Sequence, residues 1–222
     1  MHRQHLHTRT VKLRRQTSIT MPGSSLWLAP PPSHPLHAIL TNLIETSIPA
    51  HFPDTTPRPP IFFPHMTLTS NVDPSIYADH PQEWLDGIAF PPASEVNVEF
   101  ERVKTEDVYF RRCYIKCAFE GVKDVAAIAR ARGVEGEAEA GEKTKAWLAE
   151  WKEAFGPHVS LMYGNMTIDE AKLNEVERIV QESGVNFREP AGESTGWKGG
   201  VIWLVPTDEN IAEWKPIATR TL

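Results

Sequence analysis

Two segments of this chain repeat a pattern whose residue types can do chemistry. Pro64-His65-Met66-Thr67-Leu68 and Pro157-His158-Val159-Ser160-Leu161 each carry Pro, His, a hydroxyl two residues after the His and Leu three after it. They lie 93 residues apart and hold the two Pro-His dipeptides of the sequence. Along an extended chain, residues i and i+2 project to the same side. His65 and Thr67 therefore project together, as do His158 and Ser160. Met66, Leu68, Val159 and Leu161 project the other way, toward a core. Two such strands facing one cleft would offer two imidazoles and two hydroxyls to a bound group. That set suits hydrolysis of a cyclic phosphodiester. A neutral imidazole takes a proton from water attacking phosphorus, and a protonated one gives a proton to the departing ribose oxygen. The hydroxyls donate to the non-bridging oxygens, where charge is held in the transition state. Neither a metal nor a cofactor is required. A lone histidine in an apolar strand is ordinarily structural. Two structural histidines would have no reason to share the whole repeat.

The rest of the chain must position these segments. Its 222 residues carry 41% apolar and 23% charged side chains, an ordinary soluble composition for one sizeable domain. Net charge is −6, and residues 1–20 hold five cations and no acid, leaving the remainder near −11. An acidic body disfavours long nucleic acid, which needs clustered Lys and Arg, but not one small nucleotide. No apolar run approaches the roughly 20 residues of a membrane span. Cys113 and Cys117 fall on one expected strand, about 13 Å apart, beyond the roughly 7 Å that a disulfide allows. Residues 1–23 read as a basic tail and 24–222 as a single domain.

Strands are expected at 25–29, 61–69, 95–103, 107–119, 158–163, 197–205 and 213–221. Helices are expected after a Ser33 cap, at 74–86, at 121–131, at 144–155 with Trp147, Leu148, Trp151 and Phe155 inward, and after a Thr167–Glu170 capping box. Residues 133–143 read as an acidic surface loop. The mixed order predicts an α+β fold of two pseudo-symmetric lobes, each an antiparallel-rich sheet with helices outside, enclosing a central cleft. The tryptophans are expected mainly in the core, and Arg111 and Arg112 on a solvated or salt-bridged edge. His34, His37, His51 and His80 are expected as surface residues without partners.

The paired His-x-Thr/Ser segments resemble the two-histidine (2H) phosphoesterase superfamily. The closer resemblance is to the fungal 2′,3′-cyclic-nucleotide 3′-phosphodiesterases. It also takes in Ser25-Leu-Trp-Leu-Ala-Pro-Pro31, Tyr109-Phe-Arg-Arg-Cys-Tyr-Ile-Lys-Cys117 and Glu213-Trp-Lys215, so it spans nearly everything from residue 25 onward. The resemblance implies catalytic roles for His65 and His158, phosphate contacts from Thr67 and Ser160, and a substrate contact from Tyr163. We assign His65 as the acid and His158 as the base. Strict alternation puts Tyr163 opposite His158, so the strand must end or twist near Gly164 for Tyr163 to reach the cleft. The resemblance also implies the substrates: nucleoside 2′,3′-cyclic phosphates, opened to 2′-phosphates, and ADP-ribose 1″,2″-cyclic phosphate, a tRNA-splicing by-product, opened to ADP-ribose 1″-phosphate. It implies a Golgi association, with a cytoplasmic location as the alternative. The expected ligands are small cyclic nucleotides, with no metal, no cofactor, no long nucleic acid and a monomeric chain. Competing readings are an RNA-end phosphodiesterase or ligase, a non-catalytic nucleotide binder, and a metallohydrolase using His65 and His158 as ligands.

Overall fold

The computed structural model describes residues 23–187 and 192–222. The basic tail and its histidines His2, His5 and His7 lie outside the described residues. Eight strands form one curled antiparallel sheet: β1 (Ser24–Ala29), β2 (Met66–Val72), β3 (Asn97–Lys104), β4 (Cys113–Cys117), β5 (His158–Met162), β6 (Gly196–Lys198), β7 (Val201–Pro206) and β8 (Ala218–Thr221). Their spatial order is β6-β3-β4-β5-β2-β1-β7-β8. The α+β class expected from sequence holds. The two strands of the repeated motif, β5 and β2, are neighbours at the centre, joined through the register pair Met66–Val159.

Strand β6 lies at one edge of the sheet, and β7 lies beyond β1 on the other side. Only Gly199 and Gly200 separate them, at φ +62° and +132°. Residues with a Cβ rarely adopt these conformations. A Cβ on Gly200 would also stand 2.6 Å from the Ala29 carbonyl oxygen. The sheet must therefore curl for its two ends to meet this short connection. This explains why one expected strand at 197–205 is in fact two. Of the expected strand at 213–221, only β8 pairs.

Proline bears on two further differences from expectation. The ladder of β2 begins at Met66 and not Ile61; Pro64 lies in the unpaired stretch and has no N–H to donate. The expected helix at 74–86 is a short 3-10 turn (Pro74–Ile76) and then α2 (Pro81–Asp86), broken before Pro81, which disfavours helical backbone at His80.

The remaining helices are α1 (Pro35–Asn42), α3 (Lys123–Arg130), α4 (Glu142–Glu150) and α5 (Glu170–Glu182). Helix α1 is capped by His34, whose Nδ1 accepts from the Leu36 N–H, and not by Ser33. Helix α5 is capped by Asp169, which accepts from the Lys172 N–H at 2.8 Å, so Thr167–Glu170 is not the capping pair. His51 is paired with Glu175 at 2.9 Å and His80 with Glu83 at 3.6 Å, so these histidines are not partnerless. Helices α1, α3 and α4 each run on into a wider π turn, at Leu43–Ser47, Ala131–Glu135 and Trp151–Phe155. The second of these takes the first residues of the expected 133–143 loop into helix. The rest of that loop is held by Glu137, whose carboxylate accepts from the Gly141 N–H and the Thr144 hydroxyl.

The main core contains Leu26, Leu28, Met66, Leu68, Val159, Leu161 and Met162, fully or almost fully buried. Helix α3 packs on β2 and α5 on β3. Among the described residues, no helix is long and apolar enough to cross a membrane.

Candidate active site

His65 stands immediately before β2 and His158 opens β5. Each imidazole is tied to the backbone two residues upstream. His65 Nδ1 is 2.6 Å from the Phe63 carbonyl oxygen, and His158 Nδ1 is 3.1 Å from that of Gly156. A carbonyl can only accept, so Nδ1 carries the proton in each ring and donates it. Nε2 is then the nitrogen left free on both. The intervening residue is Pro64 or Pro157, whose fixed φ stiffens the loop that closes each contact.

His65, Thr67, His158, Ser160 and Tyr163 line one cavity of about 380 Å³. The structure therefore brings together all five residues singled out from sequence. None of residues 133–143 lines it. The two hydroxyls differ in state. Ser160 Oγ donates to the Phe110 carbonyl at 3.0 Å, whereas the Thr67 hydroxyl makes no hydrogen bond with any described residue. Ser160 must give up its present acceptor to donate elsewhere, and Thr67 need not.

Tyr163 reaches the cavity because β5 contains a bulge. Tyr114 pairs with Ser160 and Cys113 with Met162, so one step along β4 meets two along β5 and Leu161 is the extra residue. Leu161 and Met162 both enter the core, and the alternation resumes one residue late, with Tyr163 on the cleft side. Strand β2 does the same. Trp27 pairs with Thr67 and Leu26 with Thr69, leaving Leu68 as the extra residue. The Leu three positions after each histidine is thus a bulge residue in both motifs. The Tyr163 ring stacks on Phe62 with centroids 3.9 Å apart, and burial pushes its hydroxyl pKa up.

Trp27 is fully buried, as expected of a core tryptophan, and lies flat on His65, centroids 3.6 Å apart and planes 11° from parallel. Its side of β1 could have been read from the flanking Leu26 and Leu28, which alternate with it into the main core. Arg111 is salt-bridged as expected, but it does not lie in the expected strand at 107–119. It lies in a 3-10 turn (Tyr109–Arg111) that cuts that strand short, and from there it lines the cavity. Its guanidinium is paired with Glu106 at 3.0 Å and donates to the Ala154 carbonyl at 3.0 Å. Glu106 also accepts from the Tyr114 hydroxyl, and the Tyr114 ring meets that of His158 edge-on at 5.1 Å. Phe155, expected on the inner side of its helix, is 47% exposed because the π turn rotates it out of the inward stripe. Arg112 is buried, with Nε donating to the Gly164 carbonyl and a 2.6 Å pair to Asp107.

Burial dominates the electrostatics. It lowers the His65 pKa from its ordinary 6.5 to about 4, with the nearby His158 charge acting in the same sense and the Phe63 contact opposing. Burial also lowers that of His158; the Gly156 contact opposes it and the Arg111 charge adds to it. Both rings are therefore neutral at pH 7. Between pH 6.5 and 4 the unfolded chain therefore binds more protons at residue 65 than the folded one. Stability from this residue is complete above pH 6.5 and falls as pH drops, by about 3 kcal/mol once pH is below 4. Urea unfolding of His65→Gln between pH 4 and 7 is expected to lose much of the wild-type pH slope. Equal slopes in the two proteins would refute the assignment.

Cys113 and Cys117 are free and buried. Among the described residues, no group of three or more His, Cys, Asp or Glu stands where a metal ion could be held.

The sequence is similar to known proteins over nearly its whole length. A 2′,3′-cyclic-nucleotide 3′-phosphodiesterase of Neurospora crassa is 53% identical over 212 residues, covering 91% of this chain and all of the relative. The protein of that name from Phaeosphaeria nodorum is 44% identical over 206 residues, again covering 91% of this chain and all of the relative. One from Yarrowia lipolytica is 26% identical, covering 89% of this chain and 99% of the relative. The family model described as cyclic phosphodiesterase-like protein matches residues 21–222, every strand and both motifs included. By that match and those identities, this chain belongs to the cyclic phosphodiesterase-like protein family.

Proposed function

We propose that this protein hydrolyses nucleoside 2′,3′-cyclic phosphates to nucleoside 2′-phosphates, using its own side chains and no metal. The observation that carries this reading is the matched pair of imidazoles in one cavity, each with Nδ1 tied to a carbonyl and Nε2 left free. The names of the relatives support the substrate class. In the proposed step, His158 Nε2 removes a proton from water as its oxygen bonds to phosphorus. The bond from phosphorus to the 3′ oxygen breaks, and that oxygen takes a proton from His65 Nε2. His158 is the partly exposed member of the pair, which suits the base that meets water. His65 must be protonated first, and the negative charge of the bound phosphate favours that. The face of Trp27 against its ring favours the cation too. Thr67, and Ser160 after rotation, donate to the non-bridging oxygens. Tyr163 forms part of the substrate wall.

The same chemistry extends to ADP-ribose 1″,2″-cyclic phosphate, giving ADP-ribose 1″-phosphate, a substrate suggested by the resemblance and tied by it to tRNA splicing. A Golgi location rests on the resemblance alone; a diffuse signal from a tagged chain would remove it. We also infer that the fold is two pseudo-symmetric halves, β6-β3-β4-β5 and β8-β7-β1-β2, and that the protein acts as a monomer. Each half places a Pro-His motif and a Leu bulge on its innermost strand. One chain supplies every residue considered for the step.

The deciding assay is product analysis on 2′,3′-cyclic AMP with excess EDTA. Adenosine 2′-phosphate is expected at the rate seen without chelator. A 3′-phosphate would reassign the leaving oxygen, and binding without turnover would make this a nucleotide-binding module. Loss of activity with EDTA, restored by zinc or manganese, would end the metal-free mechanism.

A further inference from the structure

Two of the large apolar side chains left exposed by the fold, Phe155 at 47% and Val108 at 40%, line the same cavity as the two histidines. Ligand pockets are lined mainly by apolar and aromatic side chains with a few polar groups among them, and this cavity has that character. The guanidinium of Arg111 sits 5.0 Å over the Phe155 ring and is itself held by Glu106 and the Ala154 carbonyl. The ring is thus steadied from one side by a fixed planar cation, although it is half exposed. No residue of the proposed hydrolytic step uses Phe155, Val108 or Arg111.

We propose that Phe155 and Val108, steadied by Arg111, form a stacking platform for the nucleobase of the substrate. This deepens the cyclic-nucleotide reading and rests on it. The cyclic phosphate is placed among His65, His158 and Thr67, so the base must leave along the cavity, and this apolar rim belongs to that cavity. Stacking uses the π-face that every base presents, so the platform accepts all four bases and favours the larger purines.

The test compares kcat/KM on 2′,3′-cyclic AMP with kcat/KM on glycerol 1,2-cyclic phosphate, which has the reacting ring and no base. Phe155→Ala is expected to lower the ratio of the two about 5- to 100-fold, through KM on the nucleotide. Phe155→Trp is expected to preserve it. Ile76→Ala, which removes an exposed side chain that does not line the cavity, is expected to leave the ratio as in the wild type. An unchanged ratio in Phe155→Ala, or equal losses on both substrates, overturns the platform. If the wild type hydrolyses neither compound, the hydrolytic reading fails. Titration with adenosine 2′-phosphate then decides: weaker binding to Phe155→Ala supports the platform and equal binding overturns it. A dimer in the wild type that Phe155→Ala abolishes would assign the patch to a second copy and also overturn it.

Discussion

His65→Ala and His158→Ala are each expected to lower kcat on 2′,3′-cyclic AMP by about 10²- to 10⁴-fold, the range for losing a positioned acid or base. Both histidines have their Nδ1 engaged by backbone, so the loss should appear in turnover more than in KM. His65 is nearly buried, and its truncation leaves a gap against Trp27. His65→Gln, which fills that gap and can still donate to Phe63, should therefore be equally slow. A substrate with sulfur in place of the 3′ oxygen separates the two roles, because a thiolate departs without a proton. It is expected to restore much of the turnover of His65→Ala and little of that of His158→Ala. The opposite pattern would exchange the roles, and near-normal turnover in either variant on the natural substrate would remove that histidine from the mechanism.

Trp27→Ala should be the most destabilising single change in the cleft, at about 3–5 kcal/mol. The side chain is fully buried, stacks on His65 and meets Trp214 edge-on at 5.7 Å. Its indole N–H has no hydrogen-bond partner among the described residues. Packing and stacking, and not polar satisfaction, hold it in place. Trp27→Phe is accordingly expected to recover part of the loss, since it keeps a flat ring and removes an unpaired donor. Urea denaturation measures both variants. A loss below about 1 kcal/mol in Trp27→Ala would show that the site repacks freely around it.

The motif was legible because strand alternation is a short-range rule. His65 with Thr67, and His158 with Ser160, reach one cavity as the period of two requires. Met66 and Val159 reach the core by the same rule. What alternation cannot express is a change of phase. Nothing in Ser160-Leu161-Met162 announces that Leu161 will be skipped by the ladder. The placing of Tyr163 therefore needed the pairing with β4. The strand expected over Arg111 failed for a related reason, although its salt bridge was expected. Its segment reads as continuous strand, yet the chain turns at Tyr109–Arg111 before pairing starts. The caps at His34 and Asp169 were displaced by one or two residues from the expected ones, within the usual resolution of local signals. The curl depends on which strands meet, a long-range fact that the Gly199-Gly200 dipeptide hints at without specifying.

The neutrality of the two imidazoles has a consequence for how the cavity would hold an anion. At pH 7 neither imidazole is charged, and the Arg111 charge is balanced by Glu106. An anion entering the cavity therefore meets two neutral imidazoles and an arginine already paired with a carboxylate. On the proposed reading, the hydroxyls of Thr67 and Ser160 hold the bound phosphate, and its charge draws a proton onto His65. Anion and proton then bind as linked ligands, each raising affinity for the other by the same factor. On the proposed reading, affinity for the cyclic phosphate should therefore fall as pH rises, and binding titrations at several pH values measure that coupling.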